Sequence, residues 1–543
     1  MSLNSLISYI SNSQIISELV KRIKHNNELN IIGSSRYAKS IILNSIAKKE
    51  NKDILLISPN EEIAYKWYGY FDSIDNKNVL YYPPSENLPY ASINKSKETE
   101  YSQLSVISKI IKKERQDINI IITTERSLQP HLIKENIFKD NIFSIIKGSE
   151  LEIKELTTKL VLLGYSKENM TSQEGSWSRR GEIIDIYPVN NELPIRIEYF
   201  DNIIEKIREY DPVTQRTLDS INKVEIVQVG FNLLIRKRLE NLSEQGTFNS
   251  EEITTKNNLD RYLGIIEEHP SNLLDYINKE TLIVIDEKEE CNKFSNNWCL
   301  ESDNNFELYK DEISNNLKSN NINIKVRSNL HEKFESIIGT ISNNNVINLY
   351  EFESKRNIDN RFLLSDKRIN TSSKNIGKLS KEINKFILNK DKVWILSAQP
   401  LRTRSLFFEH ECNTTYLEKP NDLESAYKLI ENSTPVIIKN KNNYEIEGFY
   451  LPIWKVILIT DKELFSQQAL FNNVFIRRRK RSVNSNINVN KINPGDYIVH
   501  KNHGIGQFLK IEKINITGES RDYLVIRYLD GKISVAADQL GSI

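Results

Sequence analysis

Short apolar runs separated by amphipathic segments dominate the first part of the chain. Residues 1–24 place leucine, isoleucine and valine at near-helical spacing, which predicts one amphipathic helix. Apolar runs at residues 29–32, 53–58 and 118–123 have the length of buried strands, and residues 38–48 have a helical pattern. Because strands that alternate with helices form parallel sheets, these residues are predicted to build an α/β domain on a parallel sheet.

Two departures from this rhythm divide the chain further. The first is a run of strands rich in arginine and carboxylates, which predicts an inserted α+β domain. The second begins at Pro494, where short strands joined by turns predict a small β-barrel of the Tudor or SH3-like kind. A chain of 543 residues is also too long for a single hydrophobic core. The predicted segments are 1–125 (degenerate P-loop domain), 126–212 (inserted docking domain), 213–349 (the rest of the first domain), 350–466 (a further α/β domain), 467–490 (basic linker) and 491–543 (barrel).

Composition and charge narrow the function classes. Lys and Arg total 74 and Asp and Glu total 73, a formal net charge of +1, which argues against a chain that coats nucleic acid over its whole surface. The three cysteines lack the spacing of a disulfide framework or a zinc site, so no metal is expected and a reducing cytoplasm is the expected location. No signal peptide is recognisable, and no apolar run approaches the ~20 residues that span a bilayer.

The first candidate for chemistry follows the first predicted strand. Residues 33–40 match the phosphate-binding pattern GxxxxGK[ST] at Gly33, Lys39 and Ser40. In such a loop the backbone N–H groups cradle phosphates, the lysine neutralises them and the hydroxyl holds Mg²⁺. Ala38 replaces the second glycine, and its Cβ can clash with a phosphate. The segment is therefore predicted to be either a strand–helix corner that has lost its ligand or a weak nucleotide site.

A second candidate is the apolar strand at residues 282–285, which ends in Asp286 and Glu287. Helicase-type ATPases use acidic residues at such a strand end to hold Mg²⁺ and activate water. Together with the loop at Gly33, this strand indicates an NTPase ancestry for residues 1–350. No arginine finger and no second motor lobe can be identified in the sequence. Hydrolysis of ATP by this chain is therefore not expected, and no cofactor is expected for it.

The inserted domain carries the most distinctive sequence, GSWSRRGEIIDIYP at residues 175–188. Arg179 and Arg180 precede a strand that carries Asp185 and Tyr187, and charged residues alternate with apolar ones through the strands that follow. Such faces are either ordinary solvated strand surfaces or protein-docking surfaces, on which arginine forks pair with carboxylates of a partner.

The C-terminal domain opens with a second distinctive segment, PGDYIVHKNHGIGQF at residues 494–508. Its glycines permit tight turns, and an exposed strand edge there could accept a strand of another protein. Asp530-Gly531 between two apolar runs predicts a hairpin. The basic run at residues 477–481, in the linker before this domain, is either solvated or in contact with phosphate.

The order of these segments resembles the N-terminal half of the bacterial transcription-repair coupling factor family (Mfd). The decayed P-loop, the inserted GxxxRRGEIIDIYP sheet, the VIDE strand and a closing segment similar to CarD-type RNA polymerase interaction modules occur in that order over essentially the whole chain. The resemblance implies a UvrB-like module at residues 1–349 and a UvrA-docking domain at residues 126–212. Arg179 and Arg180 would lie on the docking surface, with Asp185 and Tyr187 on the strand beside it.

The same resemblance implies that residues 491–543 bind the β subunit of RNA polymerase. The family's contact segment there contains Lys501, Asn502, Ile505 and Gly506. The family's ATP- and Mg²⁺-dependent motor, which moves on double-stranded DNA, would lie beyond Ile543. The implied function of this chain is therefore an adaptor in transcription-coupled nucleotide excision repair, which binds stalled polymerase and recruits UvrA. The alternatives are an active P-loop NTPase or helicase fragment and a CarD-like transcription regulator.

Overall fold

The structure is a computed structural model in which two compact units can be separated, Met1–Arg477 and Arg478–Ile543. The described residues are 3–26, 28–74, 78–84, 97–112, 118–171, 173–212, 214–230, 270–319, 331–341, 345–352, 360–365, 376–418, 428–429, 431–440, 446–465, 495–500, 504–516, 519–528 and 531–536. None of the helices in these residues is both long and apolar enough to cross a bilayer.

The helices and strands are numbered here in chain order. The helices are α1 (Asn4–Ser11), α2 (Gln14–Asn26), α3 (Arg36–Glu50), α4 (Glu61–Ser73), α5 (Lys97–Ile111), α6 (Glu135–Asp140), α7 (Ile153–Leu162), α8 (Lys288–Ser319), α9 (Phe334–Gly339), α10 (Ile376–Leu388), α11 (Pro400–Glu409) and α12 (Asp461–Phe465). Short 3-10 turns lie at Glu125–Leu128, Leu273–Tyr276 and Pro452–Trp454. The strands of the first unit are β1 (Glu28–Ile32), β2 (Ile54–Ser58), β3 (Val79–Tyr81), β4 (Ile120–Thr124), β5 (Phe143–Ile146), β6 (Ser166–Lys167), β7 (Ser176–Arg180), β8 (Ile183–Tyr187), β9 (Ile195–Phe200), β10 (Ile203–Tyr210), β11 (Thr217–Ile221), β12 (Lys223–Ile226), β13 (Leu282–Asp286), β14 (Val346–Tyr350), β15 (Arg361–Leu363), β16 (Lys392–Ser397), β17 (Thr415–Tyr416), β18 (Val436–Lys439), β19 (Phe449–Leu451) and β20 (Val456–Thr460). Those of the second unit are β21 (Tyr497–His500), β22 (Gly504–Ile516), β23 (Glu519–Tyr528) and β24 (Gly531–Ala536).

A seven-stranded parallel sheet forms the centre of the first unit, in the order β15-β1-β14-β13-β2-β4-β3. Its central strands β2, β4 and β13 are buried along their whole length. Helices cover both faces of such a sheet, which is why these strands are continuous apolar runs rather than alternating ones. The prediction of an α/β fold on a parallel sheet is confirmed.

The single helix predicted over residues 1–24 is wrong in one respect, because the structure has two helices, α1 and α2, separated at Asn12-Ser13. The Ser13 hydroxyl accepts a hydrogen bond from the Ile16 N–H at 3.4 Å, as a residue at a helix start does. Asn and Ser side chains can form hydrogen bonds with nearby backbone groups and so favour a helix end over a helix interior. The spacing of the apolar residues does not contain this information, and the prediction therefore missed the break.

The inserted region contains a six-stranded sheet in the order β11-β10-β9-β8-β7-β6. All its strand pairs are antiparallel except β6 with β7. Helix α7 packs on one face, where Leu156 and Leu160 contact a layer of buried isoleucines. The other face carries the charged residues. The sheet ends at Ile221, beyond the predicted boundary at residue 212.

A second α/β layer at residues 376–465 contains a five-stranded sheet in the order β17-β18-β16-β20-β19, of which only β19 is antiparallel. Helices α10 and α11 cover one face of this sheet. The other face shares a continuous hydrophobic core with α1, α2 and the seven-stranded sheet. The two α/β layers are thus joined through a common core within the first unit.

The C-terminal unit is an antiparallel sheet in the order β21-β22-β23-β24 over its described residues. The predicted hairpin joins β23 to β24, with Tyr528 paired to Gly531. A register shift between Phe508 and Lys510 marks an irregularity in β22 of the kind that bends strands. Closure into a Tudor or SH3-like barrel stays a prediction.

Candidate docking surfaces and the remnant nucleotide site

The charged face of the six-stranded sheet is organised around one buried carboxylate. Asp185 pairs with Ser178 on β7 and with Arg196 on β9, and Arg196 in turn pairs with Arg208 on β10. Successive residues of a strand point to opposite faces, so these four side chains form one row across the sheet. The Asp185 side chain is only 2% exposed, whereas the arginine side chains are more accessible.

Two arginines hold this carboxylate from opposite sides. Arg196 donates from Nε to Asp185 Oδ1 at 2.8 Å and from Nη2 to Oδ2 at 3.0 Å, while Arg180 donates from Nη2 to Oδ2 at 2.8 Å. The hydrogen bond to Asp185 raises the pKa of Arg196. The Arg180 side chain is 54% exposed and the Arg196 side chain 16%. Asp185 therefore fixes an accessible guanidinium at the surface without a partner being present.

The other two residues predicted for this surface are placed differently. Arg179 precedes Arg180 in β7, so the two side chains leave opposite faces of the strand. Arg179 is exposed and donates to the Gly181 carbonyl at 3.0 Å. Tyr187 is only 2% exposed, and its hydroxyl donates to the Glu192 carbonyl at 3.2 Å. The structure thus brings Arg180 and Asp185 together and leaves Arg179 and Tyr187 outside that contact.

Residues that support the Asp185 cluster are absent from the predicted set. Arg196 lies over the Tyr210 ring, with its guanidinium carbon 4.6 Å from the ring centroid, and it also donates to Gln215 Oε1 at 3.3 Å. Thr171 donates to the Asp185 carbonyl at 3.2 Å. The alternation along β9 places Arg196 on the charged face, and register with Asp185 is the signal that could have identified it.

Two of the four predicted polymerase-binding residues, Ile505 and Gly506, lie near the start of β22 in the C-terminal unit. Ile505 is 69% exposed and pairs with Val499, whereas the neighbouring Gly506 is buried and pairs with Ile498. A Cβ at Gly506 would lie 2.5 Å from Cγ2 of Ile526 and 2.8 Å from the Tyr528 ring, so only glycine fits there. Lys501 and Asn502 lie outside the described residues. Ile505 therefore offers an exposed apolar side chain on a strand, and Gly506 allows that strand to pack.

The loop after β1 begins with two residues of left-handed backbone and is approached closely by the segment that follows β15. Gly33 and Ser34 both have positive φ, at 90° and 63°. The Gly33 N–H donates to the Tyr350 carbonyl at 2.9 Å. A Cβ on Gly33 would lie 2.6 Å from the carbonyl oxygen of Leu364, which directly follows β15. The chain itself therefore occupies the space over the first glycine.

The other matching residues of the loop have intramolecular partners too. Lys39 is 1% exposed and donates from Nζ to the Tyr350 carbonyl at 3.0 Å, and burial lowers its pKa. The Ser40 hydroxyl donates to the Tyr37 carbonyl at 2.6 Å. Ala38 is fully buried, and its N–H donates to the Ser35 hydroxyl at 3.3 Å. The Gly33 N–H, the Lys39 ammonium and the Ser40 hydroxyl are thus already engaged within the chain.

The acidic pair after β13 is engaged by a residue of the same loop. Asp286 is fully buried, and its Oδ2 accepts from Arg36 Nε and from Trp67 Nε1, both at 2.8 Å. Glu287 has φ 52° and accepts from the Glu351 N–H at 2.6 Å; burial raises its pKa. Asp286 therefore contacts the loop at residues 33–40 through Arg36. The sequence did not indicate that Arg36 provides the positive charge that Mg²⁺ would supply to Asp286 in an active site.

Three segments of the chain match known protein families. Residues 143–229 match the UvrB interaction domain, residues 368–466 match the Rossmann-like domain of cyanobacterial Mfd, and residues 492–543 match the CarD-like/TRCF RID domain. The first of these contains the Asp185 cluster, and the third contains Ile505 and Gly506.

Whole-chain relatives agree with these matches. The chain is 27% identical to the transcription-repair-coupling factor of Bacillus subtilis over 94% of this chain and 44% of the relative. It is 24% identical to those of Staphylococcus haemolyticus and Staphylococcus epidermidis, over 98% and 99% of this chain and 46% of each relative. The chain thus spans a little under half the length of these relatives. The predicted resemblance to the transcription-repair coupling factor family is confirmed.

Proposed function

We propose that this chain, a homologue of the transcription-repair-coupling factors, is an adaptor that joins RNA polymerase to the excision-repair protein UvrA. The observation that carries this proposal is the Arg180–Asp185–Arg196 cluster, which lies in the segment matching the UvrB interaction domain. The same chain carries the segment matching the CarD-like/TRCF RID domain. A chain with both segments has the two surfaces that an adaptor needs.

The UvrA-docking surface is the charged face of the six-stranded sheet, centred on Arg180. A guanidinium group carries five N–H donors in a rigid planar arrangement. Asp185 accepts from Nη2 of Arg180, so the other N–H groups of Arg180 can donate to a carboxylate of the partner. Holding the side chain in place before binding reduces the entropy lost when the partner docks. Glu198, which pairs with Arg208 at 3.2 Å, adds a carboxylate to the same face and restricts which partners fit.

The polymerase-docking surface is the hairpin at β21 and β22, and the proposed partner is the β subunit. Ile505 would supply an apolar anchor, with Lys501 and Asn502 beside it in the sequence. A strand edge of the C-terminal sheet could accept a strand of the partner, which gives affinity through main-chain hydrogen bonds. This arrangement requires Gly506, because any larger residue would push β22 away from Ile526.

We further propose that the loop at residues 33–40, together with Asp286 and Glu287, is the remnant of a nucleotide site and turns over no ATP. Asp286 is neutralised by Arg36, and Lys39 and Gly33 are engaged by Tyr350, so phosphate and Mg²⁺ would have to displace existing contacts. ATP, Mg²⁺ and the translocation of double-stranded DNA belong, on this proposal, to the part of the relatives that this chain does not span.

Separate pull-downs with purified UvrA and with core RNA polymerase test the adaptor proposal. Arg180→Ala is expected to weaken UvrA capture at least tenfold and to leave polymerase capture unchanged. Arg22→Ala removes an exposed arginine that pairs with Glu18 on α2, and it serves as the matched control with no expected effect. If the unaltered chain captures neither protein, or if both arginine variants behave alike towards UvrA, the proposal is wrong.

Calorimetric titration with MgATP tests the claim about the remnant site. No binding heat is expected at micromolar ATP. Micromolar affinity that is lost in Lys39→Ala would instead establish the chain as a working nucleotide-binding protein.

A further inference from the structure

The connection between β10 and β11, at residues 211–216, contains a residue in an unusual backbone conformation. Gln215 has φ 59°, in the left-handed region that is unfavourable for a residue with a Cβ atom. Its N–H donates to the Asp211 carbonyl at 2.8 Å, a hydrogen bond across four residues that closes one helical turn. Glycine is the usual residue at the left-handed end of such a turn. A glutamine at this position therefore points to a role for its side chain.

Neighbouring residues of the same turn hold the backbone of Gln215 in place. Asp211 is only 3% exposed, and its Oδ1 accepts a hydrogen bond from the Thr214 N–H at 3.0 Å. The Asp211 N–H donates to the Arg216 carbonyl at 2.9 Å, which closes the turn from its other end. Val213 lies outside the described residues. An unfavourable backbone conformation persists where surrounding contacts fix it in this way, and such residues are frequent at functional sites.

The amide group of Gln215 has its two ends committed to different partners. Nε2 donates to the Pro212 carbonyl at 3.0 Å, within the turn itself. An amide side chain donates from its nitrogen and accepts at its oxygen, so the contact with Pro212 leaves Oε1 as the acceptor for a second group. Oε1 accepts from Nη2 of Arg196 at 3.3 Å. The turn therefore sets the orientation of the amide, and the amide presents an acceptor to Arg196.

Arg196 is enclosed by three groups, two of which lie at or just after the end of β10. Asp185 accepts from Nε and Nη2 at 2.8 and 3.0 Å, and Nη2 also donates to Gln215. The Tyr210 ring lies 4.6 Å from the guanidinium carbon. Tyr210 is the last residue of β10, so the ring and the Gln215 amide reach Arg196 from the same part of the chain. Gln215 thus restricts the rotation of the guanidinium over the Tyr210 ring.

We propose that Gln215 is a positioning residue of the UvrA-docking surface, an inference that rests on the proposed function. Gln215 keeps Arg196 on Asp185, and Asp185 in turn holds the exposed guanidinium of Arg180. Long side chains lose rotational freedom when a partner docks, and a surface that has already fixed them loses less. On this proposal Gln215 contributes to docking without touching UvrA.

Two substitutions separate this role from a purely structural one. Gln215→Gly removes the side chain and also relieves the left-handed strain, because glycine adopts positive φ readily. The melting temperature of this variant is expected to stay the same or to rise, while its affinity for UvrA falls about fivefold or more. Gln215→Met keeps the length and the strain but has no amide, and it is expected to lose affinity for UvrA to a similar extent.

The measurement is biolayer interferometry with immobilised purified UvrA and the full chain in solution, together with thermal melting of each variant. Asn51→Gly is the matched control. Asn51 has φ 52° at the end of α3, and its N–H donates to the Ala47 carbonyl in the same kind of turn. It lies outside the inserted domain. This control is expected to change the affinity for UvrA less than about twofold, the scale of a substitution away from the binding surface.

A double-mutant cycle with Arg196→Lys tests whether Gln215 acts through Arg196. Lysine has a single ammonium in place of the guanidinium fork, so it does not reproduce the paired contacts with Asp185 and Gln215. In the Arg196→Lys background, Gln215→Met is expected to change the affinity for UvrA less than about twofold, since coupled residues are not additive. A loss of the same size in both backgrounds would mean that Gln215 contacts UvrA directly, and it would overturn the positioning role.

The remaining contrary outcomes are distinguishable from one another. A wild-type chain that binds no UvrA overturns the proposed function and this inference with it. If the wild type binds UvrA and both Gln215 variants bind it equally well, this inference alone is wrong. A fall in melting temperature that accompanies the loss of affinity in Gln215→Gly would show that the side chain serves the stability of the turn, and it would also contradict the inference.

Discussion

At the scale of single residues, Arg36 is the side chain that compensates the buried charge of Asp286 in the remnant nucleotide site. A buried carboxylate such as Asp286 is costly unless a cation or several donors compensate it. Here Arg36 and Trp67 together supply that compensation to one oxygen, and Oδ1 of Asp286 has no hydrogen-bond partner among the described residues. The Arg36 side chain thus ties the partly buried loop to the buried end of β13.

Arg36→Ala is expected to destabilise the first unit by about 3 kcal/mol, the cost of leaving a buried charge without its partner. Urea denaturation followed by circular dichroism measures the change. Arg22→Ala, in which an exposed pair on α2 is broken, should cost less than about 1 kcal/mol. Equal effects of the two substitutions would show that Asp286 does not depend on Arg36.

Glu125 gives a second prediction at this scale, concerning pH. It is 3% exposed and directly follows β4, and its Oε2 has no hydrogen-bond partner within the part of the chain that the structure describes. Burial raises its pKa to about 8, although the Arg126 charge opposes this shift. In the unfolded chain a glutamate releases its proton near pH 4.3. The folded state therefore binds more protons between these two values, and stability falls as pH rises through that window.

Glu125→Gln removes this titration. Between pH 6 and pH 8 the loss of unfolding free energy should be smaller in the variant than in the wild type by about 2 kcal/mol, to order of magnitude. Urea titrations at the two pH values measure it. The exposed Glu205→Gln is the control and should leave the pH dependence as it is. An unchanged pH dependence in Glu125→Gln would mean that this carboxyl is ionised in the folded protein.

At the scale of elements, sequence patterns identified the buried strands, but they did not identify the edge strand that pairs beside them in the sheet. The runs at residues 53–58 and 282–285 became β2 and β13 because continuous apolar stretches have no place except inside a parallel sheet. β15 (Arg361–Leu363) was not predicted, because it is a short, half-exposed strand. It is recognisable only from its pairing with β1, which lies far away in the sequence. Leu364, directly after this strand, places its carbonyl oxygen over Gly33. The space above the first glycine of the loop is therefore filled by a residue more than 300 positions away in the sequence.

In β22, the adjacent residues Ile505 and Gly506 are expected to have different roles. Gly506 supports folding of the C-terminal unit, and Ile505 supports binding of polymerase. Gly506→Ala is expected to destabilise the C-terminal unit by about 1–3 kcal/mol, because its Cβ would overlap Ile526 and Tyr528. Ile505→Ala removes a side chain that is 69% exposed and should leave the melting temperature unchanged while weakening polymerase capture. Differential scanning calorimetry and pull-down distinguish the two effects. Loss of stability in Ile505→Ala, or none in Gly506→Ala, would contradict this assignment.

At the scale of the whole molecule, sequence reasoning separated parts that the structure joins. The predicted domains 1–125 and 350–466 appear as separate α/β segments in the sequence. Their hydrophobic patterns do not indicate which face of one sheet packs against which helix of the other segment. In the structure α1 lies between α3 and the five-stranded sheet, and the indole N–H groups of Trp394 and Trp454 donate to Ser5 and Ser13. Such a joint core depends on packing between distant residues, which periodicity within one element cannot report.

This shared core predicts that a cavity in α1 loosens both α/β layers together. Leu6 is fully buried in it, so Leu6→Ala should cost about 2–5 kcal/mol and raise amide hydrogen exchange in both β1 and β16. Leu379→Ala makes a similar cavity on the other face of the five-stranded sheet, where the core includes only residues of that layer. Its effect on exchange should be confined to residues 376–465. If Leu6→Ala instead leaves β16 protected, the two layers are stable separately, and α1 is an attachment of the first layer alone.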